Sequence, residues 1–223
     1  MTGYGAAFEQ WRAGASDWDA YVRHAFVTGL KSGSLPREAF LHYLKQDYVF
    51  LMHFSRAWGL AIAKAATLLE MQSAAATVHA LLHHEMALHV ELCAAAGIDK
   101  ATLEATAERA ENMAYTRFVL EAGYSGDFLD LLAALAPCVL GYGEIGAALA
   151  ASDHSETYGD WIGTYGGSEY QDVCTDTGAL IESALRHRLG TDYAQTPRFA
   201  QLGQIFAKAT TLEVGFWDMG LRP

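Results

Sequence analysis

Apolar positions recur at steps of three and four residues over most of the chain. This spacing puts apolar side chains on one face of an α-helix. In residues 36–58 the in-phase positions are Phe40, Tyr43, Leu44, Phe50, Leu51, Phe54 and Trp58. No segment alternates with a period of two for long enough to predict a sheet. The pattern therefore predicts an all-α protein.

Glycine, proline and capping residues divide the pattern into eight helical segments. Gly97 stands where a left-handed helix end is common, and Pro137 inside the fifth segment predicts a kink. The predicted segments are residues 4–30 (one helix or a pair), 36–58, 68–96, 103–122, 127–150, 156–165, 169–189 and 196–217. The predicted architecture is a single-domain helical bundle over residues 1–223, with a pocket between helices.

Composition and charge narrow the classes of partner. The 223 residues are 52% hydrophobic and 18% charged, which suits one domain with a large core. Fifteen Lys and Arg stand against 26 Asp and Glu, giving a formal net charge of −11. Binding to phosphate backbones or anionic membranes needs clustered basic residues, so we expect neither a nucleic-acid partner nor a membrane partner.

The sequence also predicts a cytoplasmic location. Residues 1–11 lack a basic segment followed by an apolar run, so no signal peptide is expected. The most apolar stretch, residues 131–143, is shorter than the ~20 residues of a membrane span. Cys93, Cys138 and Cys174 form an odd set without metal-type pair spacing, which suits free thiols in a reducing compartment.

Asp47 is the first polar group that lies inside an apolar helical pattern. Phe50 follows three residues later, so the two share a helix face. A carboxylate beside an aromatic plane could hold a flat heterocycle. The plain alternative is a partly exposed Asp, or one paired with a neighbouring helix.

Cys138 is the second candidate, because a thiol lies here on a disturbed helix. Tyr142 follows four residues later on the same face, and Pro137 removes a backbone donor just before it. Gly141 and Gly143 leave room for a group to approach the helix. A free cysteine is also a common buried residue, so a structural role remains open.

Two further stretches place polar groups beside aromatic ones. Tyr165 ends a helix just before two glycines and could reach into a cleft. Glu213 lies at i, i+3 and i+4 with Phe216 and Trp217. Apolar surroundings disfavour the ionised form of a glutamate, which suits an acid or base near neutral pH. Ordinary packing explains either stretch taken alone.

A histidine-rich stretch is the weakest candidate. It contains His79, His83, His84, Glu85 and His89, and two pairs have the i, i+4 spacing of helical metal ligands. These residues spread around the helix, which favours a solvated or core-edge face. We therefore predict no metal site.

Taken together and in order, these motifs resemble the thiaminase II (TenA) family, which has a haem-oxygenase-like helical fold. Any single motif is weak, whereas the ordered set spans nearly the whole chain. The matching segments are His24-Ala25-Phe26-Val27, Gly33-Ser34-Leu35-Pro36, Tyr43-Leu44-Lys45-Gln46-Asp47-Tyr48, Ala114-Tyr115, Pro137-Cys138, Gly141-Tyr142-Gly143-Glu144-Ile145-Gly146, Trp161-Ile162-Gly163-Thr164-Tyr165 and Glu213-Val214-Gly215-Phe216-Trp217.

The resemblance implies hydrolysis of an aminomethyl-substituted aminopyrimidine, or of thiamine, to a hydroxymethylpyrimidine for salvage. It implies that Cys138 is the nucleophile, that Asp47 and Glu213 are active-site carboxylates, and that no cofactor is needed. It also implies a homotetramer. The pocket residues implied by position are Tyr142 and Tyr165 as hydroxyls, with Tyr115 and Phe216 lining the ring site. At Phe50 the family often has tyrosine, so one hydroxyl is absent here.

The implied chemistry suits these residue types. A thiolate can add to an electron-poor ring carbon, after which ring electrons expel the leaving group from the exocyclic carbon. We assign Asp47 to anchoring the ring and Glu213 to carrying the proton. One alternative is a metal-dependent or cofactorless oxidase or oxygenase on the same fold, with ligands from Glu85, His89 and Glu144. Others are a transcriptional regulator and a binding module with an inert cysteine.

Overall fold

The computed structural model describes residues 3–223 and is helical throughout its regular structure, with no strand in that range. The α-helices are α1 Ala6–Gly14, α2 Trp18–Val22, α3 Ala25–Ser32, α4 Arg37–Lys64, α5 Leu68–Ala80, α6 Met86–Ala95, α7 Lys100–Glu104, α8 Ala110–Ser125, α9 Phe128–Ala150, α10 Gly159–Gly166, α11 Ser168–Leu189 and α12 Pro197–Gly220. A π-helical turn, Leu81–Glu85, joins α5 to α6 without a break, and two 3₁₀ turns are Glu156–Tyr158 and Tyr193–Gln195. The predicted all-α class is confirmed.

Several predicted helix ends are confirmed by their capping geometry. Thr196 caps α12 by accepting from the backbone N–H of Phe199, and Pro197 is its first residue. Asp127 and Asp130 form a reciprocal capping box at the start of α9. Gly97 takes φ +81 after α6, the left-handed conformation expected of a helix stop.

The predicted helix over residues 103–122 is wrong, because the structure has two helices separated by a break at residues 105–109. The side chain of Gln46 on α4 fills this break. Its amide donates to the Ala107 carbonyl at 2.9 Å and accepts from the Arg109 backbone N–H at 3.0 Å. The side chain of Gln46, distant in sequence, thus forms hydrogen bonds with backbone groups that would otherwise pair within a helix.

Two other predicted boundaries differ for similar reasons of packing. Residues 4–30 form three short helices instead of one or two. Gly123 does not stop α8, which continues to Ser125. A Cβ at position 123 would overlap Leu60, so the glycine permits close approach of α8 to α4.

The core is built around α9, which lies against α8, α10, α11 and α12. Its most apolar 18-residue window has a mean hydropathy of 1.5, and 78% of that window is buried inside the protein. By length and composition alone α9 could cross a membrane, and it is longer than the apolar stretch read from the sequence. Such burial is that of a core helix, since membrane-facing helices expose their apolar surface.

Candidate active site

A cavity of about 270 Å³ opens between α4, α5, the π turn, α9, α10 and α11. This volume is at the small end of the range for small-molecule sites, which begins at ~300 Å³, and so it suits a single substituted ring. Most of its wall is apolar or aromatic. The lining residues are Asp47, Phe50, Leu51, Phe54, Thr77, Ala80, Leu81, His84, Glu85, Leu88, Cys138, Val139, Tyr142, Thr164, Tyr165, Glu169, Tyr170 and Val173. Five of the eight residues singled out from the sequence are among them.

Asp47 reaches the cavity from the middle of α4 and is held from behind. Its Oδ2 accepts from the Tyr43 hydroxyl at 3.2 Å and lies 2.6 Å from Nε2 of His89. Its Oδ1 has no partner among residues 3–223 and is not sealed from solvent. One carboxylate oxygen is therefore fixed by the protein, and the other is free for a ligand.

Cys138 lies on α9, half-buried, with its side chain at the cavity wall. Burial raises the pKa of the thiol, and the negative charges of Glu213, Glu85 and Asp47 raise it further. At neutral pH the group is accordingly a thiol. It needs a base or a positively charged ligand nearby to become a thiolate.

The glycines after Cys138 admit protein side chains, and this corrects the expectation that they leave room for an approaching ligand. A Cβ at Gly141 would overlap the ring of Tyr21, whose hydroxyl donates to the Pro137 carbonyl at 3.2 Å. A Cβ at Gly143 would overlap Cys174. The helix is assigned without interruption through Pro137.

Glu213 on α12 lies behind the cavity wall and is fully buried. Its Oε1 accepts from the Tyr115 hydroxyl at 2.7 Å. Burial raises the pKa of Glu213 to about 8; the Tyr115 hydrogen bond opposes this shift and the nearby Asp47 charge adds to it. A carboxyl with this pKa can both take and give a proton near neutral pH.

Tyr142 and Tyr165 line the cavity. Their rings meet edge to face at 5.1 Å, and Tyr142 also stacks on Trp217 at 5.3 Å. The Tyr165 hydroxyl donates to Oε1 of Glu85 at 2.8 Å. The packing fixes both rings and leaves Tyr165 engaged with an acid that sequence reasoning had not placed here.

Tyr115 and Phe216 do not line the cavity, and this corrects their predicted placement at the ring site. Both are buried behind Phe50, which forms the wall itself. The ring of Phe50 lies 5.2 Å from Tyr115 and 5.4 Å from Phe216. The three rings pack at tilted angles, with Phe50 on the cavity side, so Tyr115 and Phe216 support the wall from behind.

Sequence reasoning considered His89 and Glu85 only as metal ligands and missed their place at this cavity. The histidine-rich stretch was predicted to be solvated or at the core edge, yet His89 is buried against Asp47. The remaining histidines, His79, His83 and His84, are exposed as expected. The signal in the sequence was the i, i+4 pair of Glu85 and His89, which places the two side chains on one helix face.

The proposed metal ligands of the oxidase alternative lie apart. Glu144 pairs with Arg12 at 3.1 Å and accepts from Trp18, away from the cavity lining. Glu85 and His89 are engaged by Tyr165 and Asp47. Within residues 3–223 no group of three or more His, Cys, Asp or Glu side chains is placed to hold a metal ion.

The fold and the site define an all-α protein with one thiol and several carboxyls around a small-molecule cavity. The profile of the TENA/THI-4/PQQC family matches residues 11–223, and the chain belongs to this family.

Three relatives illustrate the similarity. The crystal structure of a TenA family transcription regulator from Silicibacter sp. TM1040 is 62% identical, with a TM-score of 0.97 over 99% of this chain and 98% of that one. An aminopyrimidine aminohydrolase of Halalkalibacterium halodurans is 35% identical over 91% of this chain and 89% of its own length. A TenA homologue from P. horikoshii OT3 is 25% identical, with a TM-score of 0.85 over 97% and 98% of the two chains.

Proposed function

We propose that this protein is a hydrolase of thiamine salvage that acts on aminopyrimidines. It releases a hydroxymethylpyrimidine from an aminomethyl-substituted aminopyrimidine, from thiamine, or from both. The relative from Halalkalibacterium halodurans named aminopyrimidine aminohydrolase supports the reaction class. The main structural support is that Cys138 and Asp47 open on the same aromatic-walled cavity, with Glu213 directly behind.

Asp47 is the proposed anchor of the pyrimidine ring. Its free Oδ1 can accept from the ring amino group, while Oδ2 stays bound to Tyr43 and His89. Phe50 and Tyr142 both line the cavity and offer aromatic surface for packing against a pyrimidine ring. Phe50 has no hydroxyl group, so it can stack on the substrate ring but cannot form a hydrogen bond with it.

Cys138 is the proposed nucleophile and Glu213 the proton carrier. Glu213 takes the thiol proton, and the sulfur bonds to an electron-poor ring carbon. Ring electrons then expel the leaving group: the substituent is bound as its ammonium form, and the electron pair of the C–N bond departs with the nitrogen as neutral ammonia. Water adds to the exocyclic carbon and gives its proton to ammonia, forming ammonium. The carbon–sulfur bond breaks, and Glu213 returns the proton to the thiolate.

The raised pKa values of Cys138 and Glu213 describe the empty site. A bound substrate with a positive charge favours the ionised forms of both groups, because opposite charges in a low-dielectric site attract strongly. The nucleophile is therefore activated when substrate is present. This limits reaction of the thiol in the empty enzyme.

Two other readings are less well supported. The relative from Silicibacter carries the description of a transcription regulator. A formal charge of −11 disfavours direct contact with DNA in this chain. The oxidase or oxygenase alternative predicts bound iron, which elemental analysis of the purified protein would detect.

We further propose that the protein is cytoplasmic, as the three free thiols suggest, and that it forms a homotetramer, as the family resemblance suggests.

A release assay tests the proposal. Purified protein is given thiamine or the aminomethyl-aminopyrimidine, and hydroxymethylpyrimidine is quantified, with ammonia measured for the second substrate. We expect release from at least one substrate, and loss of release after a thiol reagent unless an aminopyrimidine is present as protector. Absence of release from both substrates would refute the proposed activity.

A further inference from the structure

Glu85 is a cavity carboxylate to which the proposed reaction assigns no step. It is the last residue of the π turn Leu81–Glu85, which interrupts an otherwise α-helical run from Leu68 to Ala95. Such turns are rare and often occur at functional sites, because the extra residue redirects the side chains that follow. Here the redirected residue is an acid that lines the cavity.

The charge of the cavity lining is one-sided. Its formally charged side chains are Asp47, Glu85 and Glu169, and none of its lining residues is Lys or Arg. His84, which is exposed, is the one histidine among the lining residues. Low-dielectric walls of a single sign focus the potential, so this cavity favours a cationic ligand over a neutral or anionic one.

Among these acids, Glu85 is the best placed to meet a charged group of the ligand. Its Oε1 accepts from Tyr165 at 2.8 Å, which fixes the side chain. Its Oε2 accepts no hydrogen bond from residues 3–223 and is not sealed from solvent. Glu169, by contrast, is exposed at the rim. A fixed and half-buried carboxylate interacts more strongly with a cation than a solvated one does.

Burial raises the pKa of Glu85, and the Asp47 charge adds to this shift, while His89 and the Tyr165 hydrogen bond oppose it. The ionised form is thus costly in the empty cavity and is stabilised once a cation is bound. This is the behaviour of a carboxyl group that gains from a positively charged ligand, because His89, the cation that acts on it, is paired with Asp47.

We propose that Glu85 binds the cationic nitrogen substituent on the exocyclic carbon of the substrate, and so selects substrates whose leaving group carries a positive charge. The proposal rests on the proposed function. For an aminomethyl substrate the contact favours the ammonium form, which leaves as neutral ammonia with the electron pair of the C–N bond. An unprotonated amine would have to leave as an amide anion. Glu85 thereby acts as a binding and specificity residue.

The test compares two ligands that differ in this substituent. Binding is measured by calorimetry in a Cys138→Ser background, so that no turnover occurs. The ligands are the aminomethyl-aminopyrimidine, whose exocyclic substituent is cationic, and its hydroxymethyl counterpart, whose exocyclic substituent is neutral. Thiamine, with its quaternary nitrogen, forms a third arm that separates recognition of charge from recognition of N–H groups.

Glu85→Gln keeps an acceptor for Tyr165 and removes the charge. We expect it to weaken binding of the aminomethyl ligand about tenfold or more, and of the hydroxymethyl ligand less than about threefold. If Glu85 recognises the positive charge, the affinity for thiamine should fall together with the affinity for the aminomethyl ligand. Glu91→Gln, at an exposed position on α6, is the matched control and should change no affinity.

An equal loss for charged and neutral ligands, or no loss for either, would overturn the role of Glu85 while leaving the proposed function intact. Tyr165→Phe provides a second variant if Glu85→Gln folds poorly. It removes the hydrogen bond and retains the charge, so the ratio of amine to alcohol affinity should persist. If the Cys138→Ser protein binds none of these ligands, both proposals fall.

Discussion

His89 and Asp47 form a buried pair in which Nε2 lies 2.6 Å from Oδ2. The second ring nitrogen, Nδ1, lies 2.9 Å from the Glu85 carbonyl oxygen. Both partners can only accept, so both bonds require a doubly protonated imidazolium. Burial alone would lower the pKa of His89, but the charge and hydrogen bond of Asp47 outweigh it and raise the pKa to about 9. The pair fixes Asp47 at the cavity as an anion with one oxygen free.

His89→Gln should destabilise the protein by about 3–5 kcal/mol near pH 6, because it leaves the Asp47 charge without its ionic partner. The His89 contribution is complete below pH 6.5 and is lost as pH rises through about 9. The deficit of the variant should therefore shrink by about 1.4 kcal/mol per pH unit in that window. Denaturant titrations at pH 6, 7.5 and 9 measure it. The exposed His83→Gln is the control, and a deficit that does not vary with pH would count against the ion pair.

Glu213→Gln should lower turnover and raise stability above neutral pH. The unfolded chain releases the Glu213 proton near pH 4.5, whereas the folded protein holds it until about pH 8. Between these values the wild type loses about 1.4 kcal/mol of stability per pH unit through this group, and the glutamine variant does not. In melting curves at pH 5, 7 and 9, the melting temperature of the variant should rise relative to that of the wild type as the pH increases. The same trend in the exposed Glu91→Gln variant would exclude burial of Glu213 as the cause.

Gly141→Ala should destabilise the protein by about 1–3 kcal/mol, because the added methyl group overlaps the Tyr21 ring in packed surroundings. Activity should fall as well, since Gly141 lies one turn after Cys138 on α9. Gly215→Ala on α12 is the control, because its Cβ meets nothing within 4 Å. That change should be neutral or stabilising by up to ~1 kcal/mol. Equal melting temperatures for the two variants would contradict this account of the packing.

Gln46→Ala should loosen the break between α7 and α8. The lost side chain accepts from the Arg109 backbone and from Asn112 and donates to Ala107, so a cost of about 1–3 kcal/mol is expected. Hydrogen exchange should accelerate at residues 105–112 before it does elsewhere. The exposed Gln72→Ala should leave that segment unchanged, and unaltered exchange in Gln46→Ala would show that other groups hold the break.

The class of fold and most helix ends were predictable because they depend on local signals. Capping by Thr196, the left-handed Gly97 and the three-to-four spacing of apolar residues all act within one or two turns. The break at residues 105–109 was not predictable, because Gln46 satisfies it from a helix about 60 residues away. The predicted helix end at residue 122 was wrong for the same reason, since Gly123 continues α8 and accommodates Leu60 of another helix.

The candidate site was predictable in part. Asp47, Cys138 and Tyr142 share helix faces with aromatic or apolar residues, and the structure brings them to one cavity. The position of Glu85 at the cavity was not predictable, because regular α-helical spacing does not include the π turn that ends at this residue. His89 was predicted to lie on a solvated or core-edge face but is buried, because its partner, Asp47, lies on another helix. Phe50 separates Tyr115 and Phe216 from the cavity through packing of side chains from three helices, which spacing along one helix cannot reveal.

The most direct measurement of the central claim pairs turnover with ligand affinity in two cysteine variants. Cys138→Ser should abolish hydrolysis and keep the affinity for hydroxymethylpyrimidine within a few-fold of wild type, because only the sulfur that attacks the ring is lost. Cys174→Ser, whose thiol is buried against the Val139 carbonyl outside the cavity, should retain both. Full turnover in Cys138→Ser, or loss of turnover and binding together, would contradict the assignment of that sulfur as the nucleophile.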